Sequence, residues 1–394
     1  MTTGRANRHS QSEYKYRARR NGNTFCALKL DITYVMFSIR SFPLLSQHVV
    51  WRQRKTGMEE TAMQMTRCRA ATFSALIAAG TLLQSPVANA AESWNIYVYN
   101  AVSTVAAVKG LNSAIEQVEK STNGELKIRL HLGGSLPINT TNITPAVSDD
   151  VVQMGDDGYF LGNVPIGGVL RLPMLIRNRD EYDKAAAVMT PHLEKAFAKK
   201  GLVVLGQYLY PYQVAYSRSK LTSLVDFKGQ KIRVTSPEQG EFIKRAGGVP
   251  VTIGAPEVPS ALDRAVADGV LTANTGGGNI WRDMLKFNFR LGINYFNSVV
   301  IANKERFDKL SPDIQTKLRK AFADQLPLIT KAMDSEEGDL TKKFADGGMT
   351  ITEPTQADID EATKIVSAYW EEWAKSKGPE AVNALKQVRA ALGR

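Results

Sequence analysis

KGQKIRVTSPEQGEF, from Lys228 to Phe242, contains a complete strand-to-helix transition. Gly229 closes a polar turn, and Lys231 to Thr235 alternates polar with β-branched residues, the pattern of a strand with one buried face. Ser236 reads as an N-cap, with Pro237 at the first helical position and acidic residues in the first turn, so a helix starts there and stops at Gly247. Arg233 therefore stands near the carboxyl end of a strand that feeds a helix. In open α/β sheets the crevice outside those strand ends is where ligands bind. A guanidinium there offers forked donors suited to a carboxylate or a phosphate. The plain alternative is a solvent-facing arginine in a weak ion pair, and the local sequence leaves both open.

The same alternation extends on both sides. Toward the amino end, WNIYVY (94–99) reads as a strand, about 103–121 as a helix with Val108, Leu111, Ile115 and Val118 on one stripe, and LKIRLHL (126–132) as the next strand. A Gly133-to-Pro137 loop, a helical NITPAVSDD (142–150) and a buried strand in VVQMGDDGYF (151–160) follow, then a helix over 179–199 and a strand GLVVLGQYLY (201–210). Toward the carboxyl end, PEVPSALDRAVADG (256–269) predicts a short helix closed by Gly269, VLTANT (270–275) a strand, and GGGN (276–279) a loop. Ser311-Pro312 caps a helix running to about residue 345, some 50 Å at 1.5 Å per residue, with a kink expected at Pro327. Such a length suggests a helix that crosses two domains, and no heptad is sustained along it, which argues against a coiled coil. Strands and helices alternating over about 300 residues predict two α/β domains.

The chain has 394 residues, is 43% apolar and carries a formal charge of +11. That charge is concentrated at one end: residues 1–90 hold 13 Lys/Arg against 4 Asp/Glu, leaving 37 against 35 in the remainder. The nearly neutral body gives no electrostatic reason to bind nucleic acid. MTRCRAATFSALIAAGTLLQSPVANA (65–90) has a basic start, an apolar run over Ala70 to Leu83 too short for a bilayer of roughly 30 Å, and an Ala88-Asn89-Ala90 exit. It reads as a signal peptide cleaved between Ala90 and Ala91, the alternatives being a buried helix or a membrane anchor. Residues 1–64 show no domain-like period. They read as a mis-called start, with translation beginning at Met58, Met63 or Met65, or else as a disordered basic tail. Amino-terminal sequencing of exported protein is expected to begin at Ala91; a mature end far upstream refutes the reading. Both cysteines, Cys26 and Cys68, precede that point, so the body has no disulfide, thiolate nucleophile or cysteine metal site.

Few constellations suggest chemistry. His131 and His192 have no partner pattern around them, and HExxH, GxSxG and Walker motifs are absent. Gly276 to Gly278 lacks the Lys and Ser/Thr of a phosphate loop and reads as a place of close backbone approach. Asp156-Asp157 forms either an acid/base pair, which opens an enzyme reading, or a strand terminus. Tyr208, Tyr210 and Tyr212 alternate at period two, as core packing or as walls of a pocket.

Across the body of the chain, VDFKGQKIRV (225–234), GGVPVTIGAPEVPSALDRAVADGV (247–270), LKIRLHLGGSLP with VVQMGDDGYF, VLRLPML (169–175) and NKERFDKLSPDIQTKL (303–318) resemble the periplasmic solute-binding proteins of TRAP transporters, the DctP type. The resemblance implies a periplasmic-binding-protein-like fold of type II: two α/β lobes, a hinge, and a long helix spanning both. The lobes are expected over 91–215 with 298–330, and over 216–297 with 331–394. It implies a monomeric periplasmic receptor, without cofactor and without catalysis, that traps a small organic acid and docks on the membrane permease. A ligand-presenting sensor subunit is the second reading. Arg233 matches the arginine that pairs with the ligand carboxylate, and Asn274 is the nearest match to a hydrogen-bonding asparagine. Gln213 stands where some sugar-acid receptors carry a second arginine. DGVLTANTGGG replaces the usual pattern after the DG turn. Tyr159, Tyr210 and Phe296 are expected as apolar walls, and a single firm cation among aromatics favours a monocarboxylate over a dicarboxylate.

Overall fold

A computed structural model describes residues 91–394; the start-site, tail and signal-peptide readings all fall on residues 1–90, outside the described residues. The chain opens with β1 (Glu92–Val98), α1 (Ala106–Ser121), β2 (Leu126–His131), α2 (Ile143–Ser148) and β3 (Met154–Asp157). A 3-10 turn over Pro165–Arg171 leads to α3 (Arg179–Ala198) and then β4 (Leu202–Ser217). β5 (Lys231–Val234), α4 (Pro237–Arg245), β6 (Val249–Thr252), α5 (Val258–Asp263), β7 (Gly269–Thr272), the one-turn α6 (Asn279–Trp281) and β8 (Phe287–Asn303) follow. The chain ends with α7 (Lys304–Lys309), α8 (Pro312–Asp346), β9 (Thr350–Thr352), α9 (Gln356–Lys377) and α10 (Pro379–Ala391).

The opening stretch folds as its local chemistry dictates. Ser236 caps α4 by accepting from the Gln239 amide, Pro237 takes the first turn, and Gly247 follows the helix at φ +84°. α5 departs from expectation. It stops at Asp263, where Ala265 takes the left-handed conformation (φ +52°) and the Val266 amide reaches back to the Ala261 carbonyl. That close is normally made by glycine, so the sequence carries no signal for it, and Gly269 instead opens β7.

Two lobes share one sheet of order β2-β1-β3-β8-β4-β7-β5-β6, with β9 beside β8. β1 is parallel to β2 and β3, and β5 is parallel to β6 and β7, so each lobe has its own parallel set. The antiparallel pair β4 and β8 runs through both: Leu202 to Tyr210 pairs with Phe296 to Asn303, and Gln213 to Ser217 with Phe287 to Asn294. The strand expected to end at Tyr210 thus continues past Pro211 to Ser217. Register shifts on both sides of Gln213 absorb the proline, which has no amide to give to a ladder.

α8 touches both lobes and is continuous through Pro327. In the first lobe its Thr330 hydroxyl accepts from the Leu209 amide (2.9 Å); toward the second, Phe344 packs edge-on against Tyr216 (6.4 Å). At the end of the chain, Trp370 on α9 donates to the Pro173 carbonyl and Trp373 to the Glu238 carboxylate (2.8 and 2.9 Å), so this helix pins the segment after the 3-10 turn to α4. α10 packs against α3.

Candidate functional site

The carboxyl ends of both parallel sets converge on one cleft, with about 420 Å³ of space between atoms, part of it open to solvent. From the first lobe come Tyr99 and Asn100 after β1 and Tyr159 after β3. From the second come Arg233 and Thr235 at the end of β5, Ala255 after β6, and Thr272, Gly276, Gly277, Ile280 and Trp281 from β7 and the turn beyond it. The crossing strands add Tyr210, Gln213 and Phe296. Ligands of open α/β sheets bind outside the strand carboxyl ends, and here two such edges face each other.

Arg233 is the cation of this cleft, and it is only 2% exposed. Its Nε donates to the Ile253 carbonyl (3.0 Å), its Nη2 to the Tyr159 hydroxyl (2.5 Å), and its guanidinium lies 5.5 Å from the Trp281 ring. Nη1 has no partner, and no carboxylate pairs with the group among the described residues. The side chain is held from both lobes, since Ile253 follows β6 and Tyr159 follows β3. A buried cation left without an anion is costly, and a ligand carboxylate is the natural complement of its free edge.

Four aromatic rings wall the space beside it. Tyr99, Tyr159 and Phe296 meet edge-to-face at 5.6 to 6.1 Å, and Tyr210 meets Phe296, its direct cross-strand partner, at 5.5 Å. The glycine run serves close packing, as its lack of side chains suggested. Gly276 takes a non-helical conformation, and a Cβ on Gly277 would run into the Trp281 ring.

The expected site residues part company here. Arg233, Gln213, Tyr159, Tyr210 and Phe296 all line the cleft; Asn274 does not. Its buried side chain turns toward α8, donating to the Glu337 carbonyl (3.0 Å) and the Thr341 hydroxyl (2.6 Å) and accepting from the Tyr216 hydroxyl. Asn274 is thus a lobe-to-helix tie, and the α8 groups that claim it could not be located from its own neighbourhood in the sequence. The tyrosine alternation splits as well. Tyr210 faces the cleft, Tyr208 donates to Asp156 (2.9 Å), and Tyr212, beyond the kink at Pro211, stacks on Tyr295 (4.2 Å).

Asp156 and Asp157 lie in the core behind the cleft and do not line it. Burial drives the Asp156 carboxyl up to about 7 against the hydroxyls of Ser298 and Tyr208, which donate to it, with the neighbouring Asp157 pushing the same way. Burial also raises Asp157, to about 6, against three donors: the amide and hydroxyl of Thr144 and the Tyr159 amide. These carboxyls are fully buried, and the Asp157 bond to the Tyr159 amide holds the loop that carries Tyr159. Among the described residues no His, Cys, Asp and Glu cluster could hold a metal ion.

Sequence reading missed Arg171. It is buried behind Phe296, with its guanidinium 4.3 Å from that ring, and donates to Asn297 Oδ1 and the Gly158 carbonyl, both at 2.9 Å. Burial lowers its pKa to about 10, against the field of Glu238. It braces the aromatic wall from outside the cleft. The only signal was an arginine within the otherwise apolar VLRLPML.

Paired lobes, a hinge of crossing strands and a cleft centred on one cation define a bilobal solute-binding protein. The chain belongs to the bacterial extracellular solute-binding proteins of family 7, DctP, whose family model matches residues 99–377. It is 24% identical to the C4-dicarboxylate-binding periplasmic protein DctP of Rhodobacter capsulatus over 72% of this chain and 86% of that protein. It is also 24% identical to the ectoine/5-hydroxyectoine-binding periplasmic protein UehA of Ruegeria pomeroyi, over 82% and 96%. Among solved structures, DctP7 of Bordetella pertussis, an extracytoplasmic solute receptor binding pyroglutamic acid, superposes with a TM-score of 0.71 at 25% identity, covering 76% of this chain and 100% of that one.

Proposed function

We propose that this protein is the extracytoplasmic receptor of a TRAP transporter, holding a small organic acid by its carboxylate on Arg233 and delivering it to the membrane permease. The observation that carries this reading is the buried guanidinium of Arg233, free on the edge that faces the cleft and without a carboxylate partner among the described residues. Family membership supports the transport role, and relatives named for a dicarboxylate, ectoine and pyroglutamate support an acid as cargo. The lobes are taken as 91–215 with 298–330 and 216–297 with 331–394, with α10 strapped onto α3 of the first. The protein works as a monomer in the periplasm after cleavage between Ala90 and Ala91. Capture, closure about the crossing strands and docking on the permease require no covalent chemistry, and the buried position of Asp156 and Asp157 favours binding over turnover.

Thermal-shift screening of a carboxylic-acid library tests this directly. A ligand bound only by the folded state at a hundred times its Kd adds about 2.7 kcal/mol, on the order of 5 °C in melting temperature for a chain of this size. A library in which amides and esters shift the protein as strongly as their parent acids would refute the carboxylate reading.

A further inference from the structure

The cleft's remaining polar atoms point to what the far end of the ligand must carry, an inference that rests on the receptor reading above. Two amide side chains that line this space have an oxygen left over. Gln213 donates its Nε2 to the Pro211 carbonyl (3.1 Å), and Asn100 its Nδ2 to the Tyr210 hydroxyl (3.3 Å). Their amide oxygens accept from nothing among the described residues, and neither is among the sealed-off buried atoms that lack a partner, so both face accessible space.

The two amides differ in how firmly they are fixed. The Tyr210 hydroxyl can donate or accept, so it tolerates either orientation of Asn100. The Pro211 carbonyl can only accept, so turning Gln213 over would set oxygen against oxygen. The kink at Pro211, with register shifts on both sides of Gln213, sets this side chain on the wall of the cleft. Among the described residues no cation other than Arg233 lines the space.

We propose that the cleft selects a monoanion, seated by one carboxylate on Arg233, whose other end presents an N–H or O–H donor to the amide oxygens of Gln213 and Asn100, and that it rejects a second carboxylate. A dicarboxylate would bring its second charge toward the lone pairs of these oxygens with no second cation among the described lining residues to meet it, whereas a lactam, a primary amide or an alcohol satisfies the same oxygens. A site built to pair a polar group discriminates steeply against ligands that leave it unpaired.

Isothermal calorimetry on the purified protein tests this with matched probes: pyroglutamate against its N-methyl derivative, and succinamate against succinate. Pyroglutamate and succinamate are expected to bind, with the N-methyl lactam and succinate each at least about a hundred-fold weaker. Gln213→Leu is expected to bring pyroglutamate and its N-methyl derivative to within a few-fold of each other. Succinate binding as tightly as succinamate overturns the selectivity, as does failure of both pyroglutamate and succinamate at millimolar concentration. If all four probes bind equally but Arg233→Ala abolishes them, the receptor reading stands and the selectivity falls. If binding persists undiminished in Arg233→Ala, the seating of the carboxylate on Arg233 falls with the selectivity. The probe pairs on the unmodified protein keep the test decisive even if Gln213→Leu fails to fold.

Discussion

Arg233→Ala is expected to weaken binding of the organic acid by several hundred-fold or more. Truncating one partner of a buried, hydrogen-bonded charge pair costs about 2–5 kcal/mol, and each 1.4 kcal/mol is a factor of ten in Kd. Arg233→Lys is expected to fail nearly as badly. The guanidinium holds the Ile253 carbonyl through Nε and the Tyr159 hydroxyl through Nη2 while offering Nη1 to the cleft, and a single ammonium cannot reach three directions at fixed geometry. The ligand-free protein should respond in the opposite sense. Arg233→Met removes a desolvated cation that no acid compensates, so its melting temperature is expected to hold or rise while binding is lost. Calorimetry with any acid that stabilises the parent protein measures the first effect, and thermal melts without ligand the second. Undiminished affinity in Arg233→Ala would place the ligand elsewhere.

The second large effect is a pH dependence of stability centred on Asp156. Its folded-state pKa, raised by burial from 3.8 to about 7, means that the native state binds this proton more tightly than the unfolded chain. The contribution is therefore fully present below about pH 4 and is lost as pH rises toward 7, with Asp157 acting in the same direction up to about 6. At about 1.4 kcal/mol per unit, the Asp156 shift alone is on the order of 4 kcal/mol. Asp156→Asn keeps the shape and offers Tyr208 and Ser298 an oxygen or an amide, so the variant is expected to lose much of the decline in melting temperature between pH 5 and pH 8. An unchanged decline would mean that Asp156 is ionised throughout. The same variant bears on the enzyme reading, because ligand affinity at pH 5 is expected to stay within a few-fold of the parent's.

The Asp156 network belongs to the core that positions the binding loop. The Tyr159 amide is tied to Asp157 and the Tyr159 hydroxyl receives Arg233, so one residue joins the buried carboxylates to the cleft cation. This makes Tyr159 the link through which first-lobe packing orients a second-lobe side chain.

Taken alone, the sequence determined what short-range chemistry can encode. Ser236, Pro237 and Gly247 set the limits of α4, alternation made 231–235 a strand, and the Ser311-Pro312 cap set the start of α8. Each rests on hydrogen bonds or side-chain spacing within a few residues. Only the tertiary structure decided which side chains meet. Arg233 and Tyr159 are 74 positions apart, Tyr210 faces Phe296 across antiparallel strands, and Asn274 was claimed by α8 residues more than 60 positions away. Cleft composition depends on such pairings, and no local period records them. The kink that sets Gln213 on the cleft wall and the burial of Arg171 without an acid partner likewise appear only when β4 crosses from one lobe to the other and the wall closes behind Phe296.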